Sequence, residues 1–293
     1  MTSALRHFAI ILWKDLLIDL RRKENILAMF FFSLLTLLIF QFALGGGEKT
    51  RFNLTPRALQ NLQALGLGPD AAQGLEPLLG RSFATQGAML KALDAGGGWR
   101  PTGAERIAIL RASRRTILQE SAPGLLWVAF LLAGVLGLGK SFGQERENGC
   151  MEALLLTPMD RGVLYLGKMA SNAFFLVVLL LLLVPTGFLL FNLSARGIWL
   201  PLGLVFLGGV VGFSALGTLL GGITSTLRGK EVLLPLLLFP LMAPILISVV
   251  RLTVVILEGG DLSREMGWVN LVAAADAMYL ILSYLVFEYV MEA

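Results

Sequence analysis

One stretch of the sequence has the residue types and spacing of a nucleotide-binding phosphate loop. Gly134 and Gly139, followed directly by Lys140 and Ser141, match the pattern in which backbone amides and a lysine hold phosphates. A working loop of this kind follows a β-strand and opens a helix. Here the pattern ends an apolar run of helical length, and no apolar strand ending in aspartate follows it. We therefore interpret it as a chance match in a glycine-rich span, with Lys140 anchoring that span at the membrane surface.

The side chains that most often bind zinc or form disulfides are almost absent. His7 is the only histidine and Cys150 is the only cysteine. A zinc site needs a cluster of such ligands, and a disulfide needs two cysteines. We expect this chain to have no catalytic residue, no metal site and no cofactor of its own.

Two ionisable residues lie inside long apolar runs. Arg251 is about six residues from the end of one run, and Asp276 is about eight residues into the next. A charge inside a membrane is costly unless it is paired or hydrated. These two intramembrane polar residues either pair with each other or line a polar cavity, or else Arg251 extends its guanidinium to the membrane surface.

A polar stretch between two apolar runs, residues 144–158, has the features of a docking element. Met151, Leu154 and Leu155 share one face of a predicted short helix. That helix ends at Pro158, because proline cannot continue a helix. An apolar knob flanked by carboxylates suits a groove on a soluble partner, although a surface helix packed on the bilayer is the alternative. The residues predicted to couple to a partner are Glu145, Glu147, Gly149, Met151, Glu152, Leu154, Leu155 and Pro158.

The elements that must hold these residues are membrane-spanning helices. The chain has 293 residues, of which 56% are hydrophobic and 15% charged, and its mean hydropathy is +0.76. This is far above the range of soluble proteins. Six apolar runs are long enough to cross about 30 Å of hydrocarbon, so we predict an all-α integral membrane protein with six transmembrane helices. The runs lie at about 26–44, 122–139, 163–193, 198–223, 232–257 and 268–290.

The basic residues predict which ends of the spans face the cytoplasm. The net charge is +4, and the basic residues flank the apolar runs rather than alternating with aromatic residues, so nucleic acid is not expected as a partner. By the positive-inside rule, their concentration on one side places both termini in the cytoplasm. That side has Arg6, Lys14, Arg21, Arg22, Lys23, Lys140, Arg146, Arg161, Lys168, Arg228 and Lys230, and the other side has Arg196 and Arg264.

Three regions follow from this topology. Residues 1–44 contain an N-terminal interfacial helix, whose apolar residues recur at helical spacing, and the first span. The alternative for that helix is a cytoplasmic extension of the span. Residues 45–121 form an external (periplasmic) helical insertion, in which Thr102 and Glu105 predict a capping box opening a helix that leads into the second span. Residues 122–293 form a five-span core that includes the docking element.

Four glycines recur at helical spacing in the fourth span. Glycines four residues apart let two helix backbones approach closely in a membrane. They serve either packing within the chain or a homodimer contact. The predicted helix-packing residues are Gly208, Gly212, Gly217 and Gly221.

Several segments resemble a known family of membrane proteins. The sequences Glu-Arg-Glu-Asn-Gly at 145–149 and Leu-Leu-Thr-Pro at 155–158, followed by Lys168, resemble the cytoplasmic segment of ABC-2-type permeases. Within that group, Ala-Pro-Gly-Leu-Leu-Trp-Val at 122–128 and the prolines at 235–244 look most like CcmB. The resemblance covers roughly three quarters of the chain, and the Glu-Arg-Glu segment is its most specific part.

The resemblance implies an ABC-2-type permease architecture and a function. The chain would be the permease subunit of an ATP-driven ABC transporter, acting in haem handling for cytochrome c maturation in the bacterial inner membrane. A separate CcmA-like ATPase subunit would hydrolyse ATP, and the permease would form a homodimer. The other implied partners are a haem-handling membrane protein, CcmC-like, and a haem chaperone, CcmE-like. The long insertion at 45–121 departs from the compact loop usual in that family.

The residues leave three functions open. Haem iron is normally held by His, Cys, Met or Tyr, and the predicted external parts contain neither histidine nor cysteine, which argues against axial ligation by this chain. ATP-powered movement that serves a haem-carrying partner agrees with this composition. An ABC-2 permease that exports a lipid, drug or glycan, and a non-transporting membrane scaffold of an assembly complex, fit the same elements.

Overall fold

The computed structural model describes residues 2–21, 23–45, 50–95, 99–147, 160–193, 197–225 and 230–290. The helices are α1 (Thr2–Arg21), α2 (Lys23–Gly45), α3 (Pro56–Ala64), α4 (Pro69–Leu75), α5 (Gln86–Ala95), α6 (Gly103–Ser113), α7 (Ile117–Glu147), α8 (Arg161–Leu190), α9 (Trp199–Ser225), α10 (Lys230–Glu258) and α11 (Met266–Val290). The strands are β1 (Thr50–Asn53), β2 (Ser82–Phe83) and β3 (Arg114–Thr116). Short 3-10 turns cover Glu76–Leu78 and Leu262–Glu265.

Six of the described helices are long and apolar enough to cross a membrane. They are α2, α7, α8, α9, α10 and α11, the last together with the 3-10 turn before it. A helix satisfies its backbone hydrogen bonds internally, which is the condition for crossing lipid. The prediction of an all-α integral membrane protein with six transmembrane helices is confirmed.

The helix α9 lies at the centre of the bundle, where it contacts α7, α8, α10 and α11. Beside it, Trp127 of α7 packs edge-on against Phe130 and Phe206. Its indole N–H donates to Oγ1 of Thr253 on α10 at 3.1 Å, so the buried polar end of the ring is satisfied. The helix α10 continues through its three prolines as one helix.

The N-terminal helix α1 packs along α8. Ile11 is buried against Gly167, where the absence of a side chain permits the contact. Asp15 and Lys168 are buried at the same contact, with 3.9 Å between Oδ2 and Nζ. Lys14 places its Nζ 3.0 Å from Oδ1 of Asp15. Whether α1 is an interfacial helix or a cytoplasmic extension of the first span stays a prediction, since this packing fits both.

Residues 50–116, which we call the insertion domain, have an apolar core of their own. The insertion contains the predicted helices and, in addition, a three-stranded antiparallel sheet in the order β2-β1-β3. The sequence did not predict the sheet, because strands of two to four residues are too short to show an alternating pattern. The buried core residues are Phe52, Leu54, Ala58, Leu62, Leu75, Leu78, Met89, Leu93 and Ile109.

The predicted capping box at the start of α6 is confirmed. Oγ1 of Thr102 accepts from the backbone N–H of Glu105 at 3.3 Å, and the Glu105 carboxylate accepts from the Thr102 N–H at 2.7 Å. Each residue satisfies a backbone donor that a helix start leaves unpaired. The helix α6 ends at Ser113, and β3 separates it from α7, so α6 does not lead directly into the second span as predicted.

Candidate functional site

The stretch that matches a phosphate loop lies inside α7. Residues 134–141 are helical, and they are preceded directly by the earlier turns of the same helix rather than by a strand. Gly134 faces Phe213 and Leu176, and Gly137 faces Met29. The glycines therefore permit close helix packing, and the backbone amides that would hold a phosphate are hydrogen-bonded within a helix.

The predicted docking element lies between α7 and α8. The helix α7 extends through Glu147, so Glu145 and Glu147 belong to its last turns. The helix α8 begins at Arg161, and the carboxylate of Asp160 caps it by accepting from the Gly162 N–H at 2.8 Å. The other predicted coupling residues lie outside the described residues: Gly149, Met151, Glu152, Leu154, Leu155 and Pro158.

Arg251 lies near the end of α10 that faces the insertion domain. Its Nη2 donates to Oε1 of Glu265 at 3.2 Å, and its side chain is 51% exposed. Glu265 belongs to the 3-10 turn before α11. The sequence did not identify this partner, because Glu265 lies in a connection rather than in an apolar run. Arg251 thus reaches outward and closes the turn between the fifth and sixth spans.

Asp276 lies on α11 against α9. Its side chain is partly buried, and Oδ1 is buried without a hydrogen-bond partner among the described residues. Arg251 is bound to Glu265 instead, so the structure does not bring the two intramembrane ionisable residues together. The neighbours of the carboxyl group include Gly208 and Gly212 of α9 and Ile245 of α10.

The predicted packing glycines contact neighbouring helices of the same chain. A methyl group added at Gly208 would meet Val272 of α11, and one added at Gly212 would meet Ile245 and Asp276. At Gly217 the neighbour is Leu138 of α7. Gly221 is buried as well. Three of the four glycines therefore have a partner within this chain, which favours internal packing over a homodimer contact.

One arginine connects the insertion domain to the spans, and a second lies beside it within the domain. Nη1 of Arg57 donates to the Leu257 carbonyl at the end of α10, at 3.2 Å, and the residue packs on Gly259. Arg115 donates to Oγ1 of Thr55 at 3.3 Å. Burial, and secondarily the nearby charge of Arg115, lower the pKa of Arg57. The sequence did not predict this junction, since its partners are about 200 residues apart.

The helix α8 carries further polar contacts that the sequence did not single out. The Tyr165 hydroxyl donates to the Ala215 carbonyl at 3.1 Å, and the Asn172 amide donates to Oγ1 of Thr218 at 2.9 Å. Both reach α9 and cross-link the two helices where apolar packing alone gives little specificity. Among the described residues, no group of three or more His, Cys, Asp or Glu is placed to hold a metal ion.

Comparison with known families identifies the spans. The sequence model of the CcmB protein family matches residues 113–292, which is more than half of the chain. The chain belongs to the CcmB family. The matched region contains α7 to α11, and with them the docking element and both intramembrane ionisable residues.

Curated CcmB relatives align with part of the chain. It is 38% identical to Heme exporter protein B of Pseudomonas aeruginosa over 131 residues, which cover 45% of this chain and 58% of that protein. Heme exporter protein B of Haemophilus influenzae is 35% identical over 131 residues, covering 45% and 59%. That of Rhodobacter capsulatus is 33% identical over 132 residues, covering 45% and 60%. The chain thus spans about three fifths of the length of these relatives.

The insertion domain lies almost wholly outside the CcmB match, which begins at residue 113. Of the insertion domain, the match includes only the last residue of α6 and the strand β3. No solved structure matches the chain. The contacts of the insertion domain therefore have to be argued from this chain alone.

Proposed function

We propose that this chain is the membrane-spanning permease subunit of an ATP-driven ABC transporter that handles haem for cytochrome c maturation. The observation that carries the proposal is the CcmB match over residues 113–292, together with relatives named Heme exporter protein B. The six spans agree with this role, since a permease must provide a bundle of helices that can rearrange.

ATP hydrolysis belongs to a separate, CcmA-like subunit in this proposal. The only phosphate-loop match in the chain lies in a packed helix, which supports a non-catalytic role. The docking element at 144–158 would receive that subunit. A CcmC-like haem-handling membrane protein and a CcmE-like haem chaperone complete the assembly, in which the permease forms a homodimer.

The location that fits this role is the inner membrane of a bacterial cell, with several spans and both termini in the cytoplasm. The distribution of basic residues supports it. The insertion domain would then lie in the periplasm, on the side where haem is attached to cytochromes. The division into an N-terminal region at 1–44, an insertion at 45–121 and a permease core at 122–293 follows the same topology.

A deletion strain tests the proposed function. Cytochromes with covalently attached haem should disappear from the strain and return when the native chain is supplied. Affinity purification of the chain in mild detergent should recover an ATPase subunit whose turnover depends on the permease.

Two results would favour the competing functions. Normal cytochromes with lost export of a lipid, drug or glycan would identify a different ABC-2 exporter. ATP turnover that is the same with and without this chain would identify a static scaffold.

A further inference from the structure

The carboxyl group of Asp276 lies deep among apolar helices. Asp276 is ten residues along α11 from Met266, which corresponds to about 15 Å at 1.5 Å per residue. Since the apolar span continues to Phe287 and the hydrocarbon is about 30 Å thick, the carboxyl lies within the hydrocarbon and away from both ends of the span. Neighbouring side chains on α11, including Leu271, Met278 and Ile281, are exposed on the lipid-facing surface of the bundle. Water is therefore scarce around this group.

Two glycines of α9, Gly208 and Gly212, form what we call the glycine seat. A methyl group added at Gly212 would collide with Oδ1 of Asp276, and one added at Gly208 would lie 3.7 Å from Oδ2. Gly203, on the same helix, has open space around it. The space that the seat leaves free is thus occupied by the carboxyl group, with both oxygens against the α9 backbone.

Among the described side chains, Lys168, Arg251 and Glu258 of the helices packed on α11 have charged neighbours other than Asp276. The helix α9 presents the glycine seat, and α10 presents Ile245 beside it, while Arg251 of α10 is bound to Glu265 of the 3-10 turn. Lys168 of α8 faces Asp15. The titratable side chain beside the carboxyl is Tyr279, whose hydroxyl donates to the Leu241 carbonyl.

A carboxylate needs donors or a cation in such surroundings, whereas a carboxylic acid does not. Oδ1 has no hydrogen-bond partner among the described residues, so the arrangement fits the neutral acid. We propose that Asp276 is a proton-binding site: it is a carboxylic acid while α9 and α11 are packed at the glycine seat, and it releases its proton when they separate.

The release is a simple ionisation. The O–H bond of the carboxylic acid breaks, its electron pair stays on the carboxylate oxygen, and the proton passes to water that enters as the helices part. Because the charged form is poorly accommodated at the seat, ionisation and separation favour each other. The packing of α9 on α11 therefore depends on pH, whatever cargo the protein handles.

Infrared spectroscopy of the full chain in a maltoside detergent, which has no ester carbonyl that would overlap the band, tests the protonation state. At neutral pH, exposed carboxylates do not show the carbonyl stretch of a carboxylic acid. We expect the native chain to show this band and Asp276→Asn to lose it. Glu258→Gln and Glu265→Gln, which change carboxyl groups at the membrane surface, serve as controls and should leave the Asp276 band in place. An unchanged band in Asp276→Asn would overturn the proposal.

The thermal midpoint of unfolding gives a second readout. As pH rises from mildly acidic to mildly alkaline, the midpoint of the native chain should fall by several degrees relative to that of Asp276→Asn, which cannot ionise. If the midpoints of the native chain and of Asp276→Asn changed equally with pH, the proposed site would be contradicted. Failure of Asp276→Asn to accumulate in membranes would also contradict it, because a site for a neutral acid must tolerate a neutral amide of the same shape.

Two glycine-to-alanine variants on α9 test the glycine seat. Gly212→Ala should displace the carboxyl, weaken or shift its band and lower the midpoint, because the new methyl would overlap both Oδ1 of Asp276 and the Ile245 side chain. Gly203→Ala adds the same methyl in open space and should change neither measurement. Equal behaviour of the two variants would show that the seat does not hold the carboxyl.

Discussion

Lys168 is 4% exposed, and its ammonium lies 3.9 Å from a carboxylate oxygen of Asp15 where α1 packs on α8. Removing Lys168 takes away one cation from the buried carboxylate of Asp15, which keeps its contact with Lys14. We expect Lys168→Ala to lower the free energy of unfolding by about 1 to 3 kcal/mol. Lys14→Ala removes an ammonium from the same carboxylate, but Lys14 is 36% exposed, so we expect a loss within about 1 kcal/mol.

Thermal unfolding of both variants in detergent checks this difference. If the two variants lose the same stability, the pair between α1 and α8 contributes no more than an exposed pair. Lys14, which is on the same helix as Asp15, would then contribute as much to stability as Lys168 does.

The sequence showed which charged residues are unusual, but it did not show which groups they contact. Arg251 and Asp276 stood out because a charge inside an apolar run is conspicuous. Their surroundings were not predictable, because Glu265 lies in a connection and the seat for Asp276 is on another helix. Lys168 was counted as a flanking charge, since a sequence does not show that a neighbouring helix covers a lysine near the start of a span.

At the scale of elements, α8 connects the docking element to α1. Two residues separate the end of that element from Arg161, where α8 begins, and α1 packs along α8. We expect Leu154→Ala with Leu155→Ala to remove apolar burial of about 2 to 4 kcal/mol from the contact with the ATPase subunit. The affinity should then fall by roughly one to three orders of magnitude.

The measurement is co-purification of the ATPase subunit with the double variant, alongside its yield in membranes. Leu181→Ala with Leu182→Ala is the control, because both leucines are exposed on the membrane-spanning part of α8. If the docking-element variant retains the ATPase and matures cytochromes normally, that element is only a surface helix.

The spans were predictable as elements because each needs a long apolar run, which is visible locally. The ends of the spanning helices were harder to predict. The helix α7 extends from Ile117 to Glu147, beyond the predicted run at 122–139 on both sides. Polar residues continue the helix outside the hydrocarbon, where the apolar pattern carries no information. The sheet of the insertion domain depends on pairing between strands far apart in sequence, as in the 64-residue separation of Arg51 and Arg115.

For the whole molecule, the orientation in the membrane can be tested by labelling. The basic residues predict that a cysteine at Ser82, which is exposed on the insertion domain, faces the periplasm. We expect Ser82→Cys in a Cys150→Ser background to react with an impermeant maleimide added to sealed cells. The native chain, whose only cysteine is Cys150, should react only after the cells are opened. Labelling of the native chain alone in sealed cells would reverse the orientation.

The register of the sheet has a consequence for how the insertion is built into the chain. Thr50 and Thr116 are partners on adjacent strands, so the two ends of the insertion domain lie about 5 Å apart. The insertion domain is therefore a segment whose first and last residues are adjacent in space. It can be excised and replaced by a tight turn, or exchanged for another domain with neighbouring termini, while the two spans keep their spacing.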